Sequence, residues 1–251
     1  MRWLMFLALA ISVGISFSDG QTLELTSNDT NVGVLRPIPA LSALTSCIWV
    51  KTSQPGERIA LVSYAASTHN NEFVMYRTSG LYIFVKGKSK STDLKVNDGQ
   101  WHHVCVTWTS KGGNWMYYDS GAQYTSGSGL QSGKCITGGG SIILGQEQDS
   151  VGGGLDPSQA LLGRITGFNL WSRALSGDEV AEVFKDCSIG GDVFTWDLSD
   201  LTITGDPREP EGAWQDEDEC AERPIAECVD LRPKIYSIQE TGDWSSRGPR
   251  A

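Results

Sequence analysis

Short segments rich in β-branched and aromatic residues recur along this chain, each bounded by Gly, Ser, Asn or Pro. Runs of about four to eight residues with this composition are typical of β-strands, and many such runs between turn residues indicate an all-β sandwich. The segments with this pattern are 22–25, 46–50, 58–64, 73–77, 81–85, 102–109, 115–119, 141–144 and 165–171. The sequence therefore predicts a β-sandwich.

One segment has a convincing helical pattern. The run 176–179 (SGDE) is a capping box, in which serine and glutamate satisfy each other's backbone N–H groups. Val180, Val183 and Phe184 follow at three- and four-residue spacing and form one apolar stripe. We expect one short helix lying on the sandwich.

The amino terminus is typical of a secretory signal peptide. A basic start at 1–2 precedes an apolar run at 3–13, and small residues suited to signal peptidase follow at Ser16 and Ser18. The apolar run is shorter than the roughly 18 to 20 residues that cross a bilayer. We predict a signal peptide at 1–18, no membrane span, and a secreted, extracellular protein.

The cysteine count agrees with an oxidising compartment. The chain has six cysteines, an even number, and their spacing lacks the close pairs of a zinc ribbon. The run Asn28-Asp29-Thr30 is a glycosylation sequon on a polar segment. We therefore expect a glycan on Asn28.

The charge distribution separates a domain from a tail. The net charge is −10, which makes nucleic acid a poor partner and a cation or cationic surface a better one. Much of the excess negative charge lies at 206–222, where the composition turns to Pro, Glu, Asp and Arg. We predict a single domain at 19–214 and a mostly unpacked acidic extension at 215–251.

An oxygen-rich loop follows the predicted strand at 141–144. Its carboxylate and amide side chains are Glu147, Gln148, Asp149, Asp156 and Gln159, with three consecutive glycines among them. Calcium takes six to eight oxygens and tolerates irregular geometry, so a flexible loop without His or Cys favours calcium over zinc. An ordinary polar loop is the alternative interpretation.

Two motifs carry a family resemblance. The run 103–110 (HVCVTWTS) fits the signature His, any residue, Cys, any residue, Ser or Thr, Trp, any residue, Ser or Thr. The runs 144–150 (LGQEQDS) and 169–171 (NLW) extend the match over about 20–214. The chain resembles the pentraxin family, which includes C-reactive protein, serum amyloid P component and the neuronal pentraxins. The resemblance implies a two-sheet antiparallel jelly roll of lectin-like type, calcium-dependent ligand binding and cyclic homo-oligomers.

The resemblance also implies one disulfide bond. In the family the cysteine of this signature bridges to a cysteine on an earlier strand, which here pairs Cys105 with Cys47. Closing the loop between Cys47 and Cys105 stabilises the fold by roughly 4 kcal/mol in the chain-entropy model. Spacing does not decide the pairing of the other four cysteines. The expected bridges, with interchain bonds from the tail as the alternative, are Cys135–Cys187 and Cys220–Cys228.

A site for two calcium ions follows from the resemblance. The residues at liganding positions are Asn70, Asn71, Glu147, Gln148 through its carbonyl oxygen, Asp149, Asp156 and Gln159. Asn70 stands where C-reactive protein and serum amyloid P component have Asp, and Asp156 where they have Glu. The first departure removes a charge and is expected to weaken the site. Both asparagines have an alternative interpretation as turn residues.

The loaded site is expected to hold an anion. Two calcium ions carry one more charge than the carboxylates of Glu147, Asp149 and Asp156 balance. In the family the anion is often phosphate, as in phosphocholine and phosphoethanolamine head groups, or sugar oxygens. The resemblance thus implies innate-immune recognition of cell or microbial surfaces. Tyr76 and Phe84 align with walls of the ligand pocket, with a core role as the alternative.

Two other classes of function fit the sequence less well. Retaining jelly-roll glycosidases need carboxylates about 5 Å apart across the glycosidic bond, and here glycines separate Asp156 from Glu147 and Asp149. The three histidines are too few and too scattered for a catalytic or metal set, so we expect no enzyme. An adhesive or structural module of laminin-G-like type is the remaining alternative.

Overall fold

The computed structural model describes residues 22–56 and 58–205. These residues form two large antiparallel sheets, a small hairpin and one helix, α1 (Gly177–Lys185). The strands are β1 (Leu23–Leu25), β2 (Asn31–Val34), β3 (Ala43–Lys51), β4 (Ile59–Ala66), β5 (His69–Arg77), β6 (Leu81–Val85), β7 (Lys88–Ser91), β8 (Trp101–Thr109), β9 (Asn114–Asp119), β10 (Ala122–Gly127), β11 (Ser141–Leu144), β12 (Gln148–Ser150), β13 (Gly153–Leu155), β14 (Gly163–Trp171) and β15 (Leu201–Thr204). The predicted all-β sandwich with one short helix is confirmed.

The chain passes repeatedly between the two sheets, as in a jelly roll. The first sheet has six strands in the order β1-β14-β3-β8-β9-β10, and the second has seven in the order β15-β2-β11-β4-β5-β6-β7. β12 pairs with β13 in a separate hairpin. Because many neighbouring strands are distant in sequence, segments from different parts of the chain meet on one surface.

The main core lies between the two sheets. In β6, Tyr82 and Phe84 are partly exposed while the residues that alternate with them are buried, which is the pattern of a strand with one solvated face. Trp108 is fully buried, and its ring nitrogen donates to the carbonyl oxygen of Leu130 at 2.8 Å. Replacing such a side chain by Ala typically costs about 3 to 5 kcal/mol.

A second apolar cluster packs α1 against the first sheet and encloses a disulfide bond. Cys47 and Cys105 lie opposite each other in the β3–β8 ladder and are bonded to each other, as the resemblance implied. Both are fully buried, together with Val180 and Val183 of α1. The helix therefore covers the disulfide as well as the sheet.

α1 begins at the predicted capping box. Ser176 Oγ accepts from the backbone N–H of Glu179 at 3.3 Å, and the Glu179 carboxylate accepts from the backbone N–H of Ser176 at 2.8 Å. A helix of this length is marginal in isolation. Burial of its apolar stripe against the sheet holds it in place.

The expected Cys135–Cys187 bridge is wrong. Cys135 is exposed and has a free thiol, whereas Cys187 is disulfide-bonded. The partner of Cys187 is therefore not Cys135. Spacing alone did not decide the pairing, because a disulfide requires two cysteines to meet in the folded chain. Cys220 and Cys228 lie outside the described residues.

Several strands were not foreseen from the sequence. β7 has the sequence KSKS and is exposed along its whole length, and β10 is a polar edge strand of the first sheet. Strands of this kind carry no apolar alternation, so pairing with a neighbour defines them. β5 also begins earlier than predicted, at His69.

Some predictions fall outside the described residues. These are the signal peptide at 1–18, the acidic extension at 215–251 and the limits of the domain at 19 and 214. They stay predictions. In the described part of the chain, no helix combines the length and hydrophobicity that a membrane crossing requires.

Candidate functional site

A glycine-rich hairpin carries the acidic residues onto the second sheet. It is formed by β12 and β13, with Gln148 opposite Leu155. Gly154 has a φ of +66°, and a Cβ there would lie 2.9 Å from the Cβ of Asp149. Only glycine adopts this conformation without strain and without displacing Asp149. Gly154 therefore lets the two strands of the hairpin approach closely beside Asp149.

Gln148 anchors this hairpin to the sheet. Its side chain is fully buried, and its amide nitrogen donates to the carbonyl oxygens of Ser63 and Ser141 at 2.8 and 3.0 Å. Its amide oxygen accepts from the backbone N–H of Gly152 at 2.7 Å. Since the side chain is committed to these bonds, a liganding role through the carbonyl oxygen is the one consistent with this arrangement.

Glu147 is a buried carboxylate with an unpartnered oxygen. The residue is 7% exposed, and its Oε1 has no hydrogen-bond partner within the described residues. Burial, and then the charges of Asp149 and Asp156, raise the pKa of Glu147 from 4.5 to about 7. A buried carboxylate without a donor or a cation is unfavourable. The oxygen is therefore placed as a cation ligand would be.

Asp156 and Gln159 lie at the two ends of a short 3₁₀ turn that follows the hairpin. Asp156 accepts from the backbone N–H of Ser158 at 2.9 Å, and this bond is the largest cause of the lowered pKa of Asp156. Its second oxygen accepts from Gln159 Nε2 at 3.3 Å. Gln159 Oε1 in turn accepts from the hydroxyl of Tyr76 at 3.3 Å. The turn thus links the acidic loop to β5.

The two predicted asparagines lie at the start of β5, facing the loop. Asn70 Nδ2 donates to Asp149 Oδ1 at 3.4 Å, which joins the β4–β5 hairpin to the loop. The backbone N–H of Asn71 donates to His69 Nδ1 at 3.0 Å, and the Asn71 side chain makes no hydrogen bond to any described residue. Their interpretation as turn residues is wrong, because both lie within the strand.

An aromatic patch lies beside the loop. Tyr76 and Phe84, the two predicted pocket residues, are partly exposed and contact edge to face, with ring centroids 6.3 Å apart. Tyr82 stacks on Phe84 with centroids 6.2 Å apart. Burial raises the pKa of Tyr76 to about 12, so its hydroxyl stays protonated as a donor. Tyr82 was not predicted, although its i, i+2 relation to Phe84 places both rings on one face.

A basic residue next to the site was also missed. Arg58 is exposed just before β4, in a left-handed conformation with φ of 70°. Its charge contributes to the lowered pKa of Asp156 and opposes the effect of burial on Tyr76. Its position beside the loop depends on the pairing of β4 with β5, so no local pattern indicates it.

The donor set fits a hard divalent cation. The oxygens come from Asn70, Glu147, Asp149, Asp156, Gln159 and the Gln148 carbonyl, without nitrogen or sulfur donors, and one buried carboxylate oxygen lacks a partner. Calcium prefers such ligands. Among the described residues, the group of His, Cys and acidic side chains whose ligand atoms all lie within 4.8 Å of one another is Cys47, His103 and Cys105, and the carboxylates of Glu147, Asp149 and Asp156 do not form such a group. The sulfurs of that group form a disulfide, so they are not thiolate ligands.

Together these features define a lectin-like jelly roll with an oxygen-rich loop and an aromatic patch on one sheet. The model of the Pentaxin family matches residues 27–207. Because that match covers most of the chain, the protein belongs to the pentraxin family, as the sequence resemblance indicated.

Curated relatives are larger proteins. The chain is 39% identical over 173 residues to the rat Sushi, von Willebrand factor type A, EGF and pentraxin domain-containing protein 1, covering 67% of this chain and 5% of that protein. It is 36% identical over 189 residues to human Neuronal pentraxin-1, covering 73% of this chain and 44% of the relative. The chain therefore spans less than half the length of these relatives.

A solved structure supports the fold. The heptameric SAP-like pentraxin from Limulus polyphemus matches with a TM-score of 0.65 and 24% identity, covering 75% of this chain and 96% of that one. At this identity the likeness establishes the jelly roll and not the ligand.

Proposed function

We propose that this protein is a secreted, calcium-dependent, lectin-like recognition protein that binds anionic groups on cell or microbial surfaces in innate immunity. The observation that carries the proposal is the partnerless oxygen of the buried Glu147, whose pKa is raised to about 7 beside Asp149 and Asp156. Family membership and the all-oxygen donor set support calcium as the cation that stabilises this arrangement.

Two calcium ions per protomer are proposed. The residues proposed to hold them are Asn70, Asn71, Glu147, Gln148 through its carbonyl, Asp149, Asp156 and Gln159. When bound, calcium supplies positive charge and open coordination positions for an anionic oxygen. The chain's own role is to hold the oxygens in place: Gln148 fixes the hairpin and Gly154 keeps it narrow.

The proposed ligands are phosphocholine, phosphoethanolamine or glycans. Tyr76 and Phe84 present partly exposed rings beside the loop, and such rings pack on a sugar ring or a choline methyl group. A cation–π contact adds about 0.5 to 2 kcal/mol. Arg58 lies close enough to Asp156 to affect its pKa, and this positive charge beside the loop supports an anionic ligand.

Immobilised ligands test this proposal directly. Mature protein is applied to phosphocholine, phosphoethanolamine and galactan beads, with calcium and with chelator. The double variant Glu147→Gln, Asp149→Asn is expected to lose binding. Asp178→Asn with Glu182→Gln, two exposed acids of α1, removes the same charge elsewhere and is expected to bind as the wild type does. Wild-type capture that persists in chelator contradicts the proposal.

Secretion, glycosylation and assembly belong to the same proposal. Asn28 is exposed while Thr30 of its sequon is buried, so a glycan attached before folding remains outside. Loss of mass on deglycosylation, absent in Asn28→Gln, tests this.

We propose a cyclic homo-oligomer, since the Limulus relative is heptameric. Avidity from several sites on one face would strengthen weak individual binding, and sedimentation equilibrium measures the assembly.

An enzyme is the competing class, and the raised pKa of Glu147 gives it one supporting observation. A carboxyl with a pKa of about 7 suits a general acid. The same shift follows from an unpartnered buried ligand oxygen, so we propose a binding protein without catalysis. Release of reducing sugar from galactan by the wild type, lost in Glu147→Gln, contradicts this. A laminin-G-like adhesive module stays as the alternative if no anionic ligand is captured.

A further inference from the structure

A buried ion pair lies directly behind the asparagines of the candidate site. Glu72 follows Asn71 in β5, and its side chain is fully buried. Glu72 Oε1 accepts from Lys86 Nζ at 2.7 Å and from the hydroxyl of Thr68. Its Oε2 accepts from the backbone N–H of Thr137 at 3.0 Å. Every oxygen of this carboxylate thus has a partner, in contrast to Glu147.

The turn that contains Lys86 and Gly87 is hydrogen-bonded to the backbone of Asn71 and Glu72. Lys86 occupies the β6–β7 turn with a φ of 45°, a conformation uncommon for residues other than glycine. The backbone N–H of Lys86 donates to the carbonyl oxygen of Glu72 at 3.0 Å, and that of Gly87 donates to the carbonyl oxygen of Asn71 at 2.9 Å. A conformation of this kind persists where surrounding contacts impose it. The ion pair is one such contact.

A third segment is tied to the same pair. Gln131 Nε2 donates to the carbonyl oxygen of Lys86 at 2.8 Å, and Lys86 Nζ donates to Thr137 Oγ1 at 3.2 Å. The β4–β5 hairpin, the β6–β7 turn and the 131–137 segment therefore converge on one buried carboxylate.

We propose that the Glu72–Lys86 pair is the positioning unit of the cation site, setting the geometry of Asn70 and Asn71. This inference rests on the proposed calcium-binding function. Neither residue touches the acidic loop; both act through the backbone of β5. Outer-shell partners of metal ligands commonly contribute 10- to 100-fold in metal affinity.

The test compares two lysines of one hairpin. Lys86→Met removes the pair, whereas Lys88→Met makes the same chemical change at an exposed lysine that has no ion pair among the described residues. Calcium affinity is measured by titration calorimetry. Hydrogen exchange at the amides of Lys86 and Gly87 is measured in chelator. Lys86→Met is expected to bind calcium at least tenfold more weakly than the wild type and to exchange faster at both amides. Lys88→Met is expected to match the wild type in both measurements. Lys86→Arg is expected to keep most of the wild-type calcium affinity.

The outcomes separate this inference from the proposal on which it rests. A wild type that binds no calcium overturns both. A wild type that binds, with a folded Lys86→Met variant that binds equally well, overturns only the positioning role and leaves the pair a plain stabiliser of the fold. If Lys86→Met does not fold, the double variant Glu72→Gln, Lys86→Met leaves no unpaired buried charge and is measured instead, with the same expected loss of affinity.

Discussion

Replacing Glu147 by Gln is expected to change stability in opposite directions with and without calcium. The substitution keeps the side-chain volume and removes a carboxylate that is 7% exposed and has an oxygen without a partner. In chelator that charge is unfavourable, so the variant should be more stable than the wild type. In calcium the same charge is a proposed ligand, so the variant should lose the stabilisation that the ion provides.

The magnitude follows from the pKa. The folded protein holds the Glu147 proton up to a pH of about 7, against 4.5 for an ordinary glutamate. The folded state thus binds more protons in this window, and its free energy of unfolding falls as the pH rises through it. At about 1.4 kcal/mol per pH unit, the cost at pH 8 is roughly 3 kcal/mol. Burying the amide of Gln costs about 1 kcal/mol or more, so we expect a net gain of about 1 to 2 kcal/mol.

Urea unfolding at two pH values provides the assay. At pH 8 in chelator Glu147→Gln should be the more stable protein, and at pH 5, where the wild-type carboxyl is protonated, the difference should disappear. Calcium at a hundred times its Kd should stabilise the wild type by about 2.7 kcal/mol and the variant by much less. Glu182→Gln, at an exposed helix position, is the control. A variant less stable than the wild type in chelator at pH 8, or stabilised equally by calcium, refutes the reasoning.

Four further predictions concern the site and its surroundings. Calcium affinity, measured calorimetrically, should fall as the pH is lowered from 8 to 6, because protons compete for Glu147, whose pKa is about 7; an affinity independent of pH contradicts this. Asn70→Asp should tighten calcium binding by adding a carboxylate, and an unchanged Kd would show that Asn70 is no ligand. The hydrogen bond to Asp119 is the largest cause of the raised pKa of His102. Protonated His102 therefore stabilises the fold at a pH below the pKa of an ordinary histidine, and this stabilisation is lost as the pH rises through the raised pKa. His102→Gln should therefore destabilise more at pH 6 than at pH 9 in thermal melts. Tyr82→Ala should weaken capture on the immobilised ligands that the wild type binds, with melting temperature checked to confirm folding.

Local patterns identified the elements whose signals lie within a few residues. The capping box at Ser176 and the apolar stripe behind it were enough to place α1, since both contacts form within one helical turn. Strands with apolar alternation, such as β6, were found with their observed limits. Polar edge strands such as β7 and β10 were missed, because their own residues bury nothing and only a paired neighbour makes them strands.

The sequence by itself determined the sandwich, the helix, the family and the set of oxygen-bearing residues. These follow from composition, from the spacing of apolar residues and from short motifs, all of which are set by residues close together along the chain. The tertiary structure decided which of those residues meet. It brought Asn70 to Asp149 and Tyr76 to Gln159, left Cys135 unpaired, and placed Lys86 against Glu72. The first two contacts join residues 79 and 83 positions apart in sequence. They depend on which strands pair across the sheet, and no short window of sequence contains that information.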